Sequence, residues 1–311
     1  MYNILITGGL GYIGSILTDC LLKEGHNVTV LDNNMYKQNS LAHQFINQQL
    51  SVKFGDVRDF NLIKSILHKF DIVIPLAAYV GAPLCSKDPV GATSINKESV
   101  FWLLDNISPN QKIIMPTTNS AYGTGDKNNF CNELTKLNPI SKYAIDKVEV
   151  EKRLMNHKNA ISLRLATVFG MSPRMRIDLL VNDFVYRAVK DKFLIIFEGH
   201  FKRNYIHVRD VASCFIHCIN SFEKMNNEIY NVGLSDANIS KLELCQEIKK
   251  SIPEFYFVEA EVGKDPDQRN YIVSNEKIEL TGFKTKFSLN DGISELIKGF
   301  TFIDNIQYRN A

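Results

Sequence analysis

No apolar run in this 311-residue chain approaches the ~18–20 residues that a membrane helix needs. Met1 leads directly into Asn3, Ile4, Leu5 and Ile6, without a basic segment, an apolar stretch or a small-residue cleavage site. The sequence therefore predicts a cytoplasmic protein without a membrane partner. An excess of one charge is also lacking. Thirty-six basic and 34 acidic residues leave a formal charge of +2, and no basic block suits nucleic acid or an anionic lipid surface. Cysteines are few: Cys20, Cys85, Cys131, Cys214, Cys218 and Cys245 include no C-x-x-C pair and read as reduced thiols. Cys214 and Cys218 stand at helical spacing around His217, but no second ligand cluster completes a metal site, so a buried helix face and no metal are expected. Internal repeats, low-complexity tracts and flexible linkers are missing too.

What is present is ordinary globular composition, 45% hydrophobic and 23% charged, enough for one large core or two smaller ones. Short β-branched runs at Asn3–Thr7, Asn27–Leu31, Val52–Phe54, Asp71–Leu76, Lys112–Thr117 and Ala160–Leu165 read as strands with helical patterns between them. Strands without strict polar alternation, separated by helix-length segments, indicate a parallel sheet covered on both faces. The predicted fold class is α/β, a doubly wound parallel sheet over residues 1–170. After Gly170 the regularity loosens into a Ser172–Pro173 turn, a helix near Ile177–Lys190, a strand near Leu194–Phe197, and Tyr205–Ser221, which starts extended and becomes helical. A smaller substrate domain is expected over residues 171–311. It interleaves with the first, because a segment near 205–233, ending in the strand-like Glu228–Val232, is compact enough to return to the main sheet.

The first strand runs into Thr7-Gly8-Gly9-Leu10-Gly11-Tyr12-Ile13-Gly14, which opens a helix with apolar Ile13, Ile16, Leu17, Leu21 and Leu22. Gly9, Gly11 and Gly14 satisfy G-x-G-x-x-G, while Gly8, Gly11 and Gly14 satisfy G-x-x-G-x-x-G. Glycine permits the tight turn and the close approach of backbone to a pyrophosphate, and the helix start offers free N–H donors. Asp32 ends the second strand eighteen residues beyond Gly14. A carboxylate there, with Asn33 beside it, accepts the adenosine ribose hydroxyls and repels a 2′-phosphate, so NAD is expected over NADP. Asp56 and Val57, after the third strand, are positioned to meet the adenine. An aspartate capping the helix from Phe60 is the alternative.

Tyr143 and Lys147 lie four apart on a helix that begins after Pro139, and so share one face. A phenol with a reference pKa near ~10 is a poor base at neutral pH, but an ammonium and an oxidised nicotinamide both favour the phenolate. Lys147 would also bind the nicotinamide ribose. The fifth strand ends in Met115-Pro116-Thr117-Thr118-Asn119-Ser120-Ala121-Tyr122-Gly123, delivering hydroxyls at the C-terminal sheet edge where such folds bind ligands. Thr117 falls to the cofactor side. Thr118 is the candidate hydrogen-bond partner of an alcohol.

Gly8-x-x-Gly11-x-x-Gly14, Asp32, Leu76-Ala77-Ala78, Thr118 four before Tyr122-Gly123, and Tyr143-x-x-x-Lys147 occur in order. Together they resemble the extended short-chain dehydrogenase/reductase superfamily, specifically its NAD-dependent epimerase/dehydratase family of nucleotide-sugar enzymes. The likeness continues through Arg203-Asn204-Tyr205-Ile206-His207-Val208-Arg209-Asp210-Val211 and Asp267-Gln268-Arg269-Asn270-Tyr271, and so covers nearly the whole chain. The resemblance implies a Rossmann-type sheet and an NAD site that includes Leu76, Ala77, Ala78 and Asn96. It implies that Tyr143 takes the proton from a sugar hydroxyl, usually at C4, while the carbon gives hydride to the nicotinamide and Thr118 steadies the oxygen. Arg203, Lys264 and Arg269 match the region that holds the nucleotide diphosphate, and Leu179 lies where the family contacts the nucleotide. As residues alone, these basic side chains read equally as solvated charges. The family also implies a homodimer, with the Tyr143 helix and its neighbour near Val90–Leu104 packed into a four-helix bundle.

Departures from the pattern narrow the reaction. The 4,6-dehydratases carry Asp-Glu after the catalytic threonine, and here Asn119 and Ser120 stand in those places. Thr167 replaces the asparagine of the family's R-x-x-N motif, and Pro75 replaces a histidine before Leu76-Ala77-Ala78. Elimination is therefore not expected. The segment Ser172–Phe184 is similar to capsule-heptose enzymes of Campylobacter, which oxidise C4 of a GDP-manno-heptose. That likeness implies a dehydrogenase of capsule or surface polysaccharide biosynthesis acting on GDP-D-glycero-alpha-D-manno-heptose. A UDP-sugar 4-epimerase is the alternative. A catalytically silent NAD-binding sensor is a third reading, disfavoured because Thr118, Tyr143 and Lys147 are all present.

Overall fold

The computed structural model describes residues 1–124, 130–261 and 269–303. Twelve strands occur among them: β1 (Asn3–Thr7), β2 (Asn27–Asp32), β3 (Leu50–Phe54), β4 (Ile72–Pro75), β5 (Lys112–Thr118), β6 (Ala160–Leu165), β7 (Thr167–Phe169), β8 (Phe193–Ile196), β9 (Lys202–His207), β10 (Glu228–Val232), β11 (Asn238–Ser240) and β12 (Tyr256–Glu259). Seven form one parallel sheet in the order β10-β6-β5-β4-β1-β2-β3. The inner strands β4 and β6 are buried throughout, as a sheet covered on both faces requires. β1 has β2 on one side and β4 on the other, so chain order reverses there. That reversal opens a crevice at the carboxyl ends of β1 and β4, where ligands bind in such sheets.

The six expected strands of the main sheet are present, with ends moved by pairing. β2 extends to Asp32 and β3 begins at Leu50, because each pairs with the other over five residues, from Val28↔Leu50 to Asp32↔Phe54. The sheet recruits β10 alongside β6, in register from Glu228↔Ile161 to Val232↔Leu165. The helix expected from Ile177 begins instead at Leu180. Leu179 holds an extended backbone at its N-cap, and Arg176, Asp178 and Leu179 line the crevice while Ile177 enters the core. The short strands β7, β9 and β11 make a second sheet, and β8 with β12 a third. One core joins Ile4 and Ile6 of β1 to Phe215 of the helix Val208–Asn220 and Phe300 of the last helix, and so continues across residue 170. Leu5, Val73, Ile113 and Met115 form a second core on the other face, against Leu103 and Leu154.

All six cysteines are free, and Cys214 and Cys218 face inward on the Val208–Asn220 helix. Among the described residues no group of His, Cys, Asp or Glu could hold a metal ion, and no helix is long and apolar enough to cross a membrane.

A buried polar cluster fixes the helix Lys142–Leu154 to the sheet. Glu151 receives Arg164 of β6 through Nη2 at 2.6 Å and Nε at 3.1 Å. Its Oε2 also accepts from Thr117 of β5 (3.0 Å) and Ser162 of β6 (2.8 Å). Arg164 in turn donates to the Tyr122 hydroxyl, which donates to Asn231 of β10. Both charges are nearly solvent-free, at 4% and 3% exposure, so removing one strands the other in a medium that solvates it poorly. Replacing Glu151 by Leu is expected to cost about 3–5 kcal/mol of unfolding free energy, read from urea denaturation. An unchanged midpoint would show that Arg164 does not depend on this carboxylate.

Candidate active site

The loop after β1 shows why glycine is needed. Gly8 has φ +74°, and a Cβ there would stand 2.6 Å from the Ala77 amide nitrogen. A Cβ on Gly14 would meet the Gly8 carbonyl at 2.4 Å. Gly11 caps the helix Tyr12–Lys23 without a side chain, so the leading amides of Tyr12, Ile13 and Gly14 have no capping oxygen over them. Tyr12 itself turns inward, its hydroxyl donating to the Gly170 carbonyl at 2.6 Å.

Beside this loop lies a cavity of about 110 Å³ that brings together Asp32, Asn33, Asp56 and Val57, expected at the adenosine, with Gly8, Gly11, Leu76, Ala77 and Ala78. Asp32 accepts from the Leu10 amide at 3.0 Å and the Asn34 amide at 2.7 Å. Burial still lifts its pKa, against those bonds and the pull of Arg174. Asp56 is gripped by Arg58 through two bonds of 2.8 Å, which bring it down to about 2, and it also receives Asn33 at 3.2 Å. It does not cap the next helix. Asp59 does, accepting from the Leu62 amide.

The crevice continues into a cleft of about 880 Å³ whose wall includes Gly14, Thr118, Ser120, Tyr143, Lys147, Leu179, Arg203 and Arg269. Ser141 caps the helix that carries the pair, accepting from the Ala144 amide at 3.2 Å, and Lys147 Nζ donates to the Pro116 carbonyl at 3.2 Å. Thr118 Oγ1 donates to Ser120 Oγ at 2.9 Å and accepts from the Ser120 amide at 3.1 Å; Arg269 also donates to Ser120 Oγ. Arg203 is 2% exposed, a wall residue and not a solvated charge. Lys264 lies outside the described residues.

Two expected cofactor residues have polar groups engaged within the chain. The Thr117 hydroxyl bonds Glu151 and Ser162, so it serves the helix anchor while the residue still lines the central cleft. Asn96, on a π-helical turn over Ser94–Glu98, is fully buried and lines neither cavity. Its amide accepts from the Tyr79 N–H and donates to the Tyr79 carbonyl, both at 2.8 Å, shaping the loop after β4. Sequence reasoning missed Tyr36, Arg174, Arg176 and Asp178, which also line the cleft. The dense arginine in Pro173-Arg174-Met175-Arg176 was the available signal.

The electrostatics differ from the simple phenol–ammonium picture. Burial, then the neighbouring Cys85, push Tyr143 up to about 12, with Arg176 and Arg269 opposing. Burial brings Lys147 down to about 8. The chain alone therefore holds a protonated phenol and an ammonium that the site disfavours. The orphaned, shielded hydroxyl of Tyr36, with no partner among the described residues, and the carboxylate of Asp32 fit a dinucleotide laid across both cavities.

Lys147 carries a stability cost. Below pH 8 the folded chain keeps an ammonium that burial disfavours. Between pH 8 and about 10.5 the unfolded chain holds the proton and the folded chain releases it, so stability rises with pH across that window. Lys147→Met is therefore expected to gain stability over the parent at pH 7, by on the order of 3 kcal/mol before packing differences. The gain should shrink steadily from pH 8 to 10. Urea denaturation of both chains across that range checks it, and a pH-independent difference would count against the depressed lysine.

The family model for the NAD dependent epimerase/dehydratase family matches residues 4–233. The chain is 30% identical to a dTDP-D-glucose 4,6-dehydratase of Dictyostelium discoideum, over 79% of this chain and 61% of that protein, less than two thirds of the relative's length. It is 28% identical to a putative UDP-glucose 4-epimerase of Methanocaldococcus jannaschii, over 94% of this chain and 97% of that one. Among solved structures, a Thermotoga maritima UDP-glucose 4-epimerase with UDP-glucose superposes with a TM-score of 0.82 at 25% identity, covering 96% and 98% of the two chains. A Bacillus cereus UDP-glucuronic acid 4-epimerase with UDP-glucuronic acid and NAD gives 0.85 at 22% identity over 96% and 99%, a likeness of fold. The glycine loop, the acidic end of β2 and the Tyr143–Lys147 pair thus stand in a chain that belongs to the NAD dependent epimerase/dehydratase family, an NAD-dependent enzyme on a seven-stranded parallel sheet.

Proposed function

We propose that this enzyme oxidises the C4 hydroxyl of a nucleotide-diphosphate sugar to the 4-keto sugar, with GDP-D-glycero-alpha-D-manno-heptose as the substrate to test first. The observation that carries the reading is the composition of the reacting end of the cleft. Tyr143, Lys147 and Thr118 line it, and the places where an eliminating enzyme holds its acid and base are filled by Asn119 and by Ser120, which is held under Arg269. Among the described residues the lining carboxylates, Asp178 and Asp183, are paired with Arg176 and Arg187. None of these is left as a base for proton abstraction next to the ketone, which supports reading this site apart from the 4,6-dehydratase it resembles in sequence.

Tyr143 takes the alcohol proton, aided by the cations around it, and its position in a poorly hydrated wall keeps the phenolate directed at substrate. Bound NAD supplies the hydride acceptor and a positive ring charge that favours the phenolate. Lys147, held against the Pro116 carbonyl, adds charge on the same helix face. Thr118 Oγ1 is fixed by accepting from the Ser120 amide, and its O–H, which donates to Ser120 Oγ when no substrate is bound, turns to donate to the sugar oxygen as Tyr143 takes that oxygen's proton. Arg203 and Arg269 face the cleft where a diphosphate needs cations. The cytoplasm is the compartment this reading assumes, and a role in capsule or surface polysaccharide synthesis follows from the substrate. A homodimer through the Tyr143 helix and its neighbour near Val90–Leu104 belongs to the same reading; Val90 is 79% and Ile145 37% exposed.

Tyr143→Phe is expected to lower turnover by about 10²–10⁴-fold while retaining NAD affinity, measured with a panel of GDP-, UDP- and dTDP-linked sugars. With the parent enzyme, loss of two mass units together with stoichiometric NADH supports the dehydrogenase. Unchanged mass with inverted C4 replaces it by a 4-epimerase, and no reaction on any sugar favours an NAD sensor. Sedimentation of the parent chain should give a dimer; a monomer at micromolar concentration removes that part.

A further inference from the structure

The strand pair of β8 and β12 is apolar on both faces, and only one face is covered. Leu194 and Ile196 point inward, 5% and 2% exposed, into the core that includes Val185 of the helix Leu180–Lys190. The alternate positions point outward: Phe193 and Ile195 of β8, Phe197 just beyond it, and Tyr256 and Val258 of β12, all between 37% and 59% exposed. Pairing sets Tyr256 beside Phe193 and Val258 beside Ile195, so the five make one patch, with the Phe193 and Tyr256 rings stacked at 5.9 Å and 12°. A strand with one wet face alternates apolar and polar residues, whereas one apolar on both sides has the pattern of a strand covered on both. Among the described residues β8 and β12 pair only with each other, so this ribbon also has two open edges.

Charge selects the occupant. Both strands run the same way, so the ribbon has distinct amino and carboxyl ends. The amino end carries Lys190 and Lys192 against Asp191 and Glu254, with Lys192 and Glu254 paired at 2.8 Å. Residues 193–200 and 256–261, which run to the carboxyl end, hold Glu198, Glu259 and Glu261 and no lysine or arginine. Glu259 also accepts from the Gly199 amide at 2.6 Å. Three carboxylates beside the patch repel an anionic lipid surface. An identical ribbon laid face to face and antiparallel suits it. A two-fold axis at Ile195 brings Lys192 of each copy to the glutamate end of the other, and the Phe193 and Tyr256 rings onto Phe197.

We infer that the outer face of β8 and β12 is a self-association surface, which seats the same face of a second copy of this chain in antiparallel, two-fold register. The contact is separate from the helix pairing of the proposed homodimer and rests on neither the cofactor nor the sugar. A single apolar patch is roughly 300–600 Å², short of the about 800 Å² that each partner buries in a standard interface. The association is therefore weak, forming in the micromolar range, and it joins helix-paired dimers into tetramers as concentration rises.

Sedimentation velocity of the full chain, from sub-micromolar to tens of micromolar, reads the contact. The parent mass should double across that range, whereas Ile195→Lys, which puts a charge at the centre of the patch, should keep its low-concentration mass. NADH fluorescence and the urea midpoint of that variant should stay at parent values, and Tyr256→Ser replaces it if it fails to fold. Lys192→Glu should weaken the doubling, and Lys192→Glu combined with Glu261→Lys should restore it, which a packing defect would not do. A parent mass that never doubles, or a doubling that Ile195→Lys and Tyr256→Ser leave intact, overturns the contact. So does parent binding to phosphatidylcholine–phosphatidylglycerol vesicles that Ile195→Lys abolishes without a change in mass, which gives the face to lipid. A monomer at low concentration removes only the helix-paired dimer; the doubling then runs from monomer to dimer and stays sensitive to Ile195→Lys.

Discussion

The Glu151–Arg164 ion pair, with the hydroxyls of Thr117 and Ser162 gathered on the same carboxylate, ties the catalytic helix to two adjacent strands. Glu151 lies one helical turn beyond Lys147 and two beyond Tyr143, so it shares their side of the helix. Thr117 is the neighbour in sequence of Thr118. The pair therefore sets the distance between the phenol on the helix and the hydroxyl at the strand end, which no local propensity could do. A buried ion pair contributes little net stability against a well-packed apolar substitute. Its value here is directional: charged hydrogen bonds hold one register, where apolar packing would tolerate several.

The same site works against its own ionisation. Burial raises the phenol and lowers the ammonium, so both groups are pushed toward their neutral forms in an empty cleft. The consequence is economical in chemistry, because the phenolate becomes favourable only where additional positive charge is brought beside it. Arg176 and Arg269 supply part of that field from the substrate side.

Much of this was legible from local pattern. The strands of the main sheet, the glycine turn, Asp32 and the Tyr143–Lys147 spacing are encoded within a few residues of one another, where periodicity and backbone sterics speak directly. Strand ends were less so, because β2, β3 and β5 stop where a neighbour stops pairing. The tertiary partners were not legible at all. Nothing near Asn96 announces that its amide serves Tyr79, and nothing near Thr117 separates a cofactor contact from a helix anchor. Arg174 and Tyr36 meet across 138 positions of chain, and the segment that carries Arg174 has no regular period to read. The helix expected from Ile177 failed for a related reason: Ile177 turns into the core, while Asp178 and the extended Leu179 are drawn into the cleft wall.

The return of β10 to the main sheet has a consequence for the order of synthesis. β6 leaves the ribosome well before its outer neighbour exists, with a free row of backbone donors and acceptors along one side and the Tyr122 hydroxyl still without Asn231. Every intervening element, including the whole of β7 to β9 and the helix Val208–Asn220, must be made before that edge is covered. The nascent first half is consequently an adhesive surface awaiting its own distant segment, and slow, long-range strand pairing of this sort is where chains of this topology are most exposed to association with one another.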